Sequence, residues 1–274
     1  MDETRRDVKD LALEQRQAEL HRWLSPPAPS TNYNKALQQR QEGTGSWFLR
    51  SDAFAAWKSQ RNSFLWLYGI PGCGKTILSS TIVEHLQTLS TQTLLYFYFD
   101  FTDAEKQTLR GVVCSLISQL YHTCKSAQEP LDAFFSSFDR STQPSRESLC
   151  KVLYNMIERA GEVWIVLDAI DECAERKGGP TEGLLLWMRD LVKWGKSNVH
   201  CLVTSRPEQD IRAELSGLTT GKSRISIQSD LVNDDILAYI CTKVRDGEGL
   251  KRWRGRPDIQ KEIEEHLAKK AEGM

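Results

Sequence analysis

The sequence lacks the features of several large classes of protein. No apolar run approaches the roughly 18 residues that a membrane-spanning helix needs. Its seven cysteines are an odd number with no C-x-x-C pair, so neither a disulfide framework nor a zinc site is indicated. The 36 basic and 37 acidic residues nearly cancel, which gives no sign of a nucleic-acid or membrane partner. We therefore expect a cytoplasmic protein with reduced thiols.

Proline and glycine divide what remains into segments. A helical pattern over residues 7–24 stops at the sequence SPPAPS (25–30), because proline cannot continue a helix. A loop with two glycines follows at 43–46. The sequence therefore predicts an N-terminal helix and proline-rich linker over residues 1–42, as an appendage to a core over 43–230. Two further helical patterns over 231–274 close the chain.

Apolar segments that alternate with helical patterns indicate the fold class. The strands are expected at 64–68, 94–101, 163–167, 199–203 and 224–227. Strands of this kind form mainly parallel sheets that are covered on both faces by helices. The sequence therefore predicts an α/β fold, a three-layer sandwich around a five-stranded sheet.

The most specific motif follows the first strand directly. The residues Gly69, Ile70, Pro71, Gly72, Cys73, Gly74, Lys75 and Thr76 spell G-x-x-x-x-G-K-T. Between a strand and a helix, such a loop binds phosphate because backbone N–H groups and the helix N-terminus point at one anion. Lys75 would reach the outer phosphates, and the Thr76 hydroxyl would bind Mg²⁺. We expect nucleotide binding, and a lowered pKa for the Cys73 thiol at this helix N-terminus.

Acidic side chains follow the third predicted strand. Asp168 comes directly after it, and Asp171 and Glu172 lie three and four residues further on. Ligands of open α/β sheets bind at the carboxyl ends of strands, so these side chains should face the glycine-rich loop. We expect Asp168 to hold Mg²⁺, and Glu172, assisted by Asp171, to orient or deprotonate an attacking water. Alone the pattern is weak, since acids after strands are often caps or solvated loop residues.

An arginine follows the fourth predicted strand, in the sequence Thr204, Ser205, Arg206, Pro207. An arginine at this edge is suited to sense or stabilise the charge of a γ-phosphate. The alternative is a surface arginine that the next proline fixes. We expect Arg206 to be catalytic, because the sheet presents its ligand edge here.

Together these motifs resemble the NACHT-type NTPases of the STAND class, and most of all the nephrocystin-type module of many filamentous-fungal NOD-like receptors. The resemblance spans about residues 43 to 245. It is carried in the family's order by GTGSWFL (43–49), LWLYGIPGCGKT (65–76), YFYFDF (96–101), VLDAIDEC (166–173) and LVTSRPE (202–208). Ala169 matches the small residue that follows the Mg²⁺ aspartate in this family.

The resemblance implies a P-loop NTPase core of the additional-strand type and a signalling switch driven by ATP or GTP. In such receptors the diphosphate state is closed, and a triphosphate permits self-association or contact with protein partners. Residues 43–230 would be the NACHT-like core, and residues 231–274 the start of a truncated helical region. We expect Mg²⁺ with ATP or ADP as ligands.

Three functions are open at this point. The first is a slow NTPase that acts as a switch, and the second is a nucleotide-binding scaffold or regulatory module without effective hydrolysis. The third is a P-loop kinase, but the lid arginines and acceptor pocket that a kinase needs are not clear in the sequence. ATP is favoured over GTP, because no N/T-K-x-D sequence follows the fourth strand.

Overall fold

A five-stranded parallel sheet lies at the centre of the structure, a computed structural model that describes residues 14–89, 93–138, 142–177, 183–219, 221–227 and 233–271. The strands are β1 (Phe64–Tyr68), β2 (Thr93–Tyr98), β3 (Glu162–Asp168), β4 (Asn198–Ser205) and β5 (Arg224–Ser226). Their order is β2-β3-β4-β1-β5, and every neighbouring pair is parallel. The strand β4 therefore lies between β1 and β3, as the additional-strand type requires.

Helices connect the strands and cover the sheet. Residues 14–24 form α1. The next helices are α2 (Ser30–Gln39), α3 (Ser46–Leu49), α4 (Asp52–Ser59), α5 (Lys75–Thr88), α6 (Leu109–Thr123), α7 (Gln128–Ser137) and α8 (Arg146–Ala160). They are followed by α9 (Leu184–Lys193), α10 (Gln209–Leu215), α11 (Asn233–Asp246) and α12 (Pro257–Ala271). In the part of the chain that the structure describes, no helix is long and apolar enough to cross a membrane.

Alternation of side chains along the strands produces two apolar cores, one on each face of the sheet. In β1, Phe64 and Trp66 face the first core, whereas Leu65 and Leu67 face the second. The first core is completed by α1 and α6 to α10, and the second by α2 to α5. Strands that are covered on both faces must be apolar nearly throughout. The three-layer α/β sandwich predicted from the sequence is therefore confirmed.

The strand β2 ends at Tyr98, although the apolar sequence predicts strand up to Phe101. The N–H of Phe99 still donates to the carbonyl of Asp168 at 3.1 Å, after which the chain turns away from the sheet. Phe101 is 69% exposed, so its ring is not part of either core. An aromatic run does not by itself distinguish a strand from the turn that leaves it.

The helix α1 contributes to the first core, in contrast to the appendage that the sequence predicts. Leu20 and Leu24 are each 2% exposed and lie within this core. The ring of Trp23 meets that of Phe135 in α7 edge-on, with 4.9 Å between the centroids. The prolines do end the helix, but they do not separate it from the fold, because its apolar side chains find partners more than a hundred residues later. Residues 1–13, which hold the start of this predicted helix, lie outside the described residues.

The segment predicted as a linker forms a further helix, α2, that packs against α5. Tyr33 and Ala36 are its buried residues. The Tyr33 hydroxyl donates to Oε1 of Gln87 in α5 at 2.9 Å. This helix places its polar side chains Asn32, Lys35 and Gln39 beside the glycine-rich loop.

The last two helices pack mainly on each other. Ile240 and Val244 of α11 form a small apolar cluster with partly buried side chains that include Ile263 of α12. A carboxylate oxygen of Asp235 accepts a hydrogen bond from the N–H of Gly45 at 2.7 Å, which joins α11 to the loop before α3. The division into segments at residues 42 and 230 stays a prediction.

Replacing Leu24 with alanine tests the contribution of α1 to the folded core. We expect Leu24→Ala to lower the free energy of unfolding by about 2–5 kcal/mol, through lost apolar burial and the cavity that remains. Urea unfolding followed by circular dichroism measures this change. Leu237→Ala is the matched control, because Leu237 is 43% exposed on α11. Equal effects of the two substitutions would contradict the placement of α1 in the core.

Candidate functional site

Two glycines set the shape of the loop between β1 and α5. Gly72 has a φ of +84° and Gly74 a φ of +85°, in the left-handed region where a side chain is strained. Gly74 immediately precedes α5, and its carbonyl accepts the N–H of Leu78 at 2.9 Å. The loop conformation therefore depends on glycine at both positions, and it places Lys75 and Thr76 in the first turn of the helix.

The Lys75 ammonium is bound by the loop itself. Its Nζ donates to the carbonyls of Gly69 at 2.9 Å and Ile70 at 2.8 Å. The Sγ atom of Cys73 lies 3.8 Å from the same nitrogen. The lysine predicted to reach phosphates thus lies inside the glycine-rich loop, with its charge next to carbonyl oxygens.

Cys73 points into the fold, and the predicted lowering of its pKa is wrong. The residue is 7% exposed, and a Cβ added at Gly69 would lie 2.5 Å from its sulfur. Burial raises the pKa of Cys73, although the nearby Lys75 ammonium and hydrogen bonds act in the opposite direction. Desolvation of the thiolate outweighs the positive end of the helix, and the sequence alone does not show which way this side chain points.

Asp168 lies at the end of β3 and is almost completely buried, at 1% exposure. One carboxylate oxygen accepts the Thr76 hydroxyl at 2.7 Å, and the other accepts the Thr204 hydroxyl at 2.6 Å. Burial raises the pKa of Asp168, while these two hydrogen bonds favour its charged form. Asp168 and Thr76, the two predicted Mg²⁺ ligands, are therefore in direct contact.

Thr204 is a site residue that sequence reasoning missed. Its hydroxyl donates to Asp168 and also accepts the N–H of Ala169 at 2.9 Å. A threonine in a β-strand is ordinarily explained by strand propensity, so its type gave no signal. The signal that could have found it is its position, because β4 lies next to β3 and their carboxyl ends meet.

Ala169 turns the chain into the acidic loop. Its backbone is left-handed, with φ +56° and ψ +47°, which costs about 1 kcal/mol or more for a residue other than glycine. The carbonyl of Ala169 accepts the N–H of Glu172 at 2.9 Å. A tight turn results, and it brings Asp171 and Glu172 to the same edge of the sheet as the glycine-rich loop.

Asp171 and Arg206 form a pair. One carboxylate oxygen of Asp171 accepts the backbone N–H of Arg206 at 3.0 Å, and the other lies 3.1 Å from its Nε. Asp171 is 8% exposed, whereas the Arg206 side chain is about half exposed. The carbonyl of Asp171 also accepts a hydrogen bond from Arg176, whose Nε bonds to Asp210 at 2.9 Å. Asp171, which the sequence predicts to assist Glu172, thus binds Arg206 with both of its carboxylate oxygens.

Glu172 extends toward the loop that follows β2. Its Oε2 accepts the backbone N–H of Phe101 at 3.0 Å. Burial raises the pKa of Glu172, and the Phe101 N–H acts against this shift. A carboxyl group with a raised pKa beside a cavity is suited to exchange a proton with a bound water.

A cavity of about 400 Å³ brings most of the predicted site residues together. Its walls include Gly72, Gly74, Lys75, Thr76, Ala169, Asp171, Glu172 and Arg206. Asp168 lies behind this wall, in contact with Thr76. The helix α2 supplies a further side that the sequence did not indicate, through Asn32, Lys35 and Gln39. Within the described ranges, no group of three or more His, Cys, Asp or Glu side chains forms a metal site, so hydroxyl oxygens would have to complete one here.

A second cavity of about 810 Å³ lies on the other side of the glycine-rich loop. It shares Gln39, Gly72, Gly74 and Ile77 with the first cavity. Its other walls come mainly from the segment 38–47, from α11 and α12, and from the residue after β5. They include Trp47, Ile227, Ile236, Tyr239, Ile240 and Leu267. The two cavities form one region around the loop, and its lining is more apolar on the side of α11 than on the side of Glu172.

Comparison with known proteins places this site in a family. The family model described as Nephrocystin 3, N-terminal, matches residues 43–206. Vegetative incompatibility protein HET-E-1 of Podospora anserina is 25% identical over 214 residues, which are 72% of this chain and 15% of that protein. The crystal structure of Cdc6p from Pyrobaculum aerophilum covers 78% of this chain and 50% of its own, with 17% identity and a TM-score of 0.37.

The family match covers the loops that carry the predicted site residues, whereas α2 and α11, which also line the cavities, lie outside it. It begins in the loop before α3, contains β1 to β4, the glycine-rich loop and the acidic turn, and ends at Arg206. The chain spans only a small part of the length of HET-E-1. The predicted resemblance to the nephrocystin-type module is confirmed, and the chain belongs to the Nephrocystin 3, N-terminal family.

Proposed function

We propose that this chain binds a nucleoside triphosphate with Mg²⁺ beside the glycine-rich loop and hydrolyses it slowly, as a signalling switch. One observation carries the proposal. Lys75, Thr76, Glu172 and Arg206 come from three separate segments, and all of them line a single cavity. Phosphate binding, metal binding and water activation need these residue types within one small volume.

The glycine-rich loop fits a chain of phosphates. Its two left-handed glycines turn the backbone toward the start of α5, where unpaired N–H groups and the helix dipole favour an anion. The Lys75 ammonium bonds to neutral carbonyls, and phosphate oxygens are stronger acceptors for the same donor. Ligand binding would therefore exchange the partners of Lys75 within the loop.

Thr76 and Asp168 fit a bound Mg²⁺. Both offer oxygen atoms, the ligand type that this hard cation prefers. The buried Asp168 carboxylate has a raised pKa, and a nearby cation would offset the cost of its charge. When bound, the ion supplies neutralisation of phosphate charge. Thr204 would keep the carboxylate in place from the other side.

Glu172 is assigned to the water that attacks the terminal phosphate, and Arg206 to the charge of that phosphate. Glu172 is the carboxyl group of the acidic turn that has a raised pKa and faces the cavity. Asp171 is assigned to the placement of Arg206, because both of its carboxylate oxygens bond to that residue. Hydrolysis would be slow, since both catalytic groups are engaged by other parts of the chain.

The nucleoside would occupy the second cavity. Its apolar walls suit a base, and α11 provides the side opposite the loop. A ligand there would contact both the sheet domain and α11, so its presence would bias how the two are held together. This contact gives the switch a physical basis. Its output would be binding of protein partners or self-association in the cytoplasm, with no role for nucleic acid or a membrane. ATP is the preferred ligand and GTP the alternative.

A nucleotide-binding scaffold without effective hydrolysis is the second candidate. The contact between Glu172 and the Phe101 N–H favours it, because a carboxylate held by a backbone donor is a weaker base. The two candidates share the binding site and differ only in turnover.

Nucleotide binding is tested by thermal unfolding. A ligand at a hundred times its Kd should add about 2.7 kcal/mol to the stability of the chain. We expect this shift with Mg-ATP, and its loss in Lys75→Ala because the ammonium contact to the phosphates is removed. Lys222→Ala, at an exposed position in the loop before β5, is the control. An unchanged melting temperature with both Mg-ATP and Mg-GTP would contradict the proposal, and a shift with Mg-GTP alone would identify the base.

Hydrolysis is tested by Glu172→Gln. The amide keeps the size of the side chain but cannot take a proton, so turnover should fall about a hundredfold or more while the Kd is retained. Phosphate release and fluorescent-nucleotide titration measure the two quantities. Glu175→Gln is the matched control, because Glu175 also accepts a backbone N–H, that of Leu109 at 3.0 Å, but does not line the cavity. Loss of binding in Glu172→Gln to the extent seen in Lys75→Ala would show that Glu172 is not the base.

The pH dependence of turnover follows from the same carboxyl group. Burial holds the pKa of Glu172 above the usual glutamate value of about 4.3. A base must be ionised, so kcat should be maintained above this pKa and decline as the pH falls through it. A kcat series over pH, with the Kd measured at each point, separates this effect from loss of binding. A profile that stays flat down to the usual glutamate value contradicts the assignment.

A further inference from the structure

Asn32, in the first turn of α2, uses both ends of its side-chain amide. Its Nδ2 donates to Oδ2 of Asp100 at 2.8 Å, and its Oδ1 accepts from Nζ of Lys106 at 2.5 Å. Lys106 is 5% exposed, and a second partner, the Asp103 carboxylate, lies 3.8 Å away. A buried ammonium needs an acceptor, so the oxygen of Asn32 must face Lys106. The nitrogen is then directed at Asp100.

All three oxygen atoms of Asp100, in the loop after β2, accept hydrogen bonds. Its Oδ1 accepts the N–H and the hydroxyl of Thr102 at 2.9 and 2.6 Å, while Asn32 bonds to Oδ2. Its carbonyl accepts the N–H of Asp103 at 3.1 Å. The Asp100 carbonyl and the Phe101 N–H belong to one planar peptide unit. Fixing Asp100 therefore fixes the direction in which the Phe101 N–H points.

The Phe101 N–H points at Glu172, and polar contacts are what hold it there. The distance to Oε2 of Glu172 is 3.0 Å. The Phe101 ring is 69% exposed, so apolar packing does little to place this peptide. On its far side the Phe101 carbonyl accepts Nε2 of Gln107 at 2.8 Å. The path from α2 to the acidic turn thus consists of two hydrogen bonds joined by one peptide unit, and a single side-chain substitution can break it.

We propose that Asn32 is a positioning residue for Glu172, which it orients through Asp100 and the peptide bond between Asp100 and Phe101. The hydrolytic consequence rests on the proposed function. The same helix lines the cavity with Lys35 and Gln39. A displacement of α2 is therefore transmitted to the carboxylate that faces the attacking water, although α2 contributes no reacting group.

Two variants of the full chain interrupt this path with opposite changes of charge. Asn32→Asp keeps an acceptor for Lys106, loses the donor to Asp100 and adds a negative charge. Asp100→Ala leaves Asn32 and Lys106 paired and removes a negative charge. Asn34→Asp is the matched control, because Asn34 is exposed on the same helix and the substitution is identical. A direct electrostatic effect on the nucleotide would have opposite signs in the two variants, whereas loss of positioning has the same sign.

Two quantities are measured on each variant. The first is the exchange rate of the Phe101 amide proton, observed by NMR on chain labelled with ¹⁵N-phenylalanine and assigned with Phe101→Leu. A hydrogen bond to a charged acceptor is lost, so exchange should be at least about tenfold faster in Asn32→Asp and Asp100→Ala, and unchanged in Asn34→Asp. The second is turnover, which should fall about ten- to a hundredfold in both variants, because the loss of orientation outweighs the gain in basicity of a released Glu172 carboxylate. The Kd should stay within about threefold. Neither variant should lower kcat further when Glu172→Gln is also present.

The outcomes separate this inference from the proposed function. Unchanged Phe101 exchange in Asn32→Asp overturns the inference, whatever the turnover and whatever the exchange in Asp100→Ala. Faster exchange with unchanged turnover in a chain that hydrolyses nucleotide also overturns it. If the wild-type chain binds nucleotide without hydrolysing it, the proposed hydrolysis fails, and the exchange rates alone decide whether Asn32 holds the peptide at Glu172. If Asn32→Asp does not fold, Asn32→Ala decides, since it also removes the donor to Asp100 and leaves Lys106 beside the Asp103 carboxylate.

Discussion

The carboxylate of Asp168 lies at the junction of β3, β4 and α5, almost completely removed from water. A buried charge is costly unless it is hydrogen-bonded, so the hydroxyls of Thr76 and Thr204 must stay within reach of its two oxygens. The Thr76 hydroxyl belongs to the first turn of α5, and the Thr204 hydroxyl belongs to the second-last residue of β4. The Asp168 carboxylate thereby holds together the glycine-rich loop, the acidic turn and the end of β4. The positions of these three segments determine the shape of the cavity.

The order of strands makes that arrangement available. With β4 between β1 and β3, its carboxyl end touches both of the loops that build the site. On one side Thr204 reaches Asp168, and on the other the Ser205 carbonyl accepts the N–H of Gly69 at 3.2 Å. Trp66 adds a hydrogen bond from its indole nitrogen to the Ser205 hydroxyl at 2.8 Å. Consecutive residues of one strand therefore connect the start of the glycine-rich loop to the acidic turn.

The sequence predicts the sheet and the two motifs, because both depend on local patterns. Apolar strands and the G-x-x-x-x-G-K-T spacing are visible within a few residues of chain. The helix α2 is not visible in this way, since only Tyr33 and Ala36 of it are buried and it follows a proline cluster. The pKa of Cys73 depends on which way one side chain points. The pairing of Asn32 with Asp100 joins residues 68 positions apart, which no local pattern encodes.

The left-handed turn at Ala169 limits which residues this edge of the sheet tolerates. A β-branched side chain would add steric conflict to a backbone that is already strained at φ +56°, whereas glycine would relieve it. The Thr204 hydroxyl accepts the N–H of this same residue, so it holds the strained conformation in place. Substitutions at the two positions are thus not independent. We therefore expect positions 169 and 204 to change together during evolution, because a substitution at either one restricts the residue types that the other tolerates.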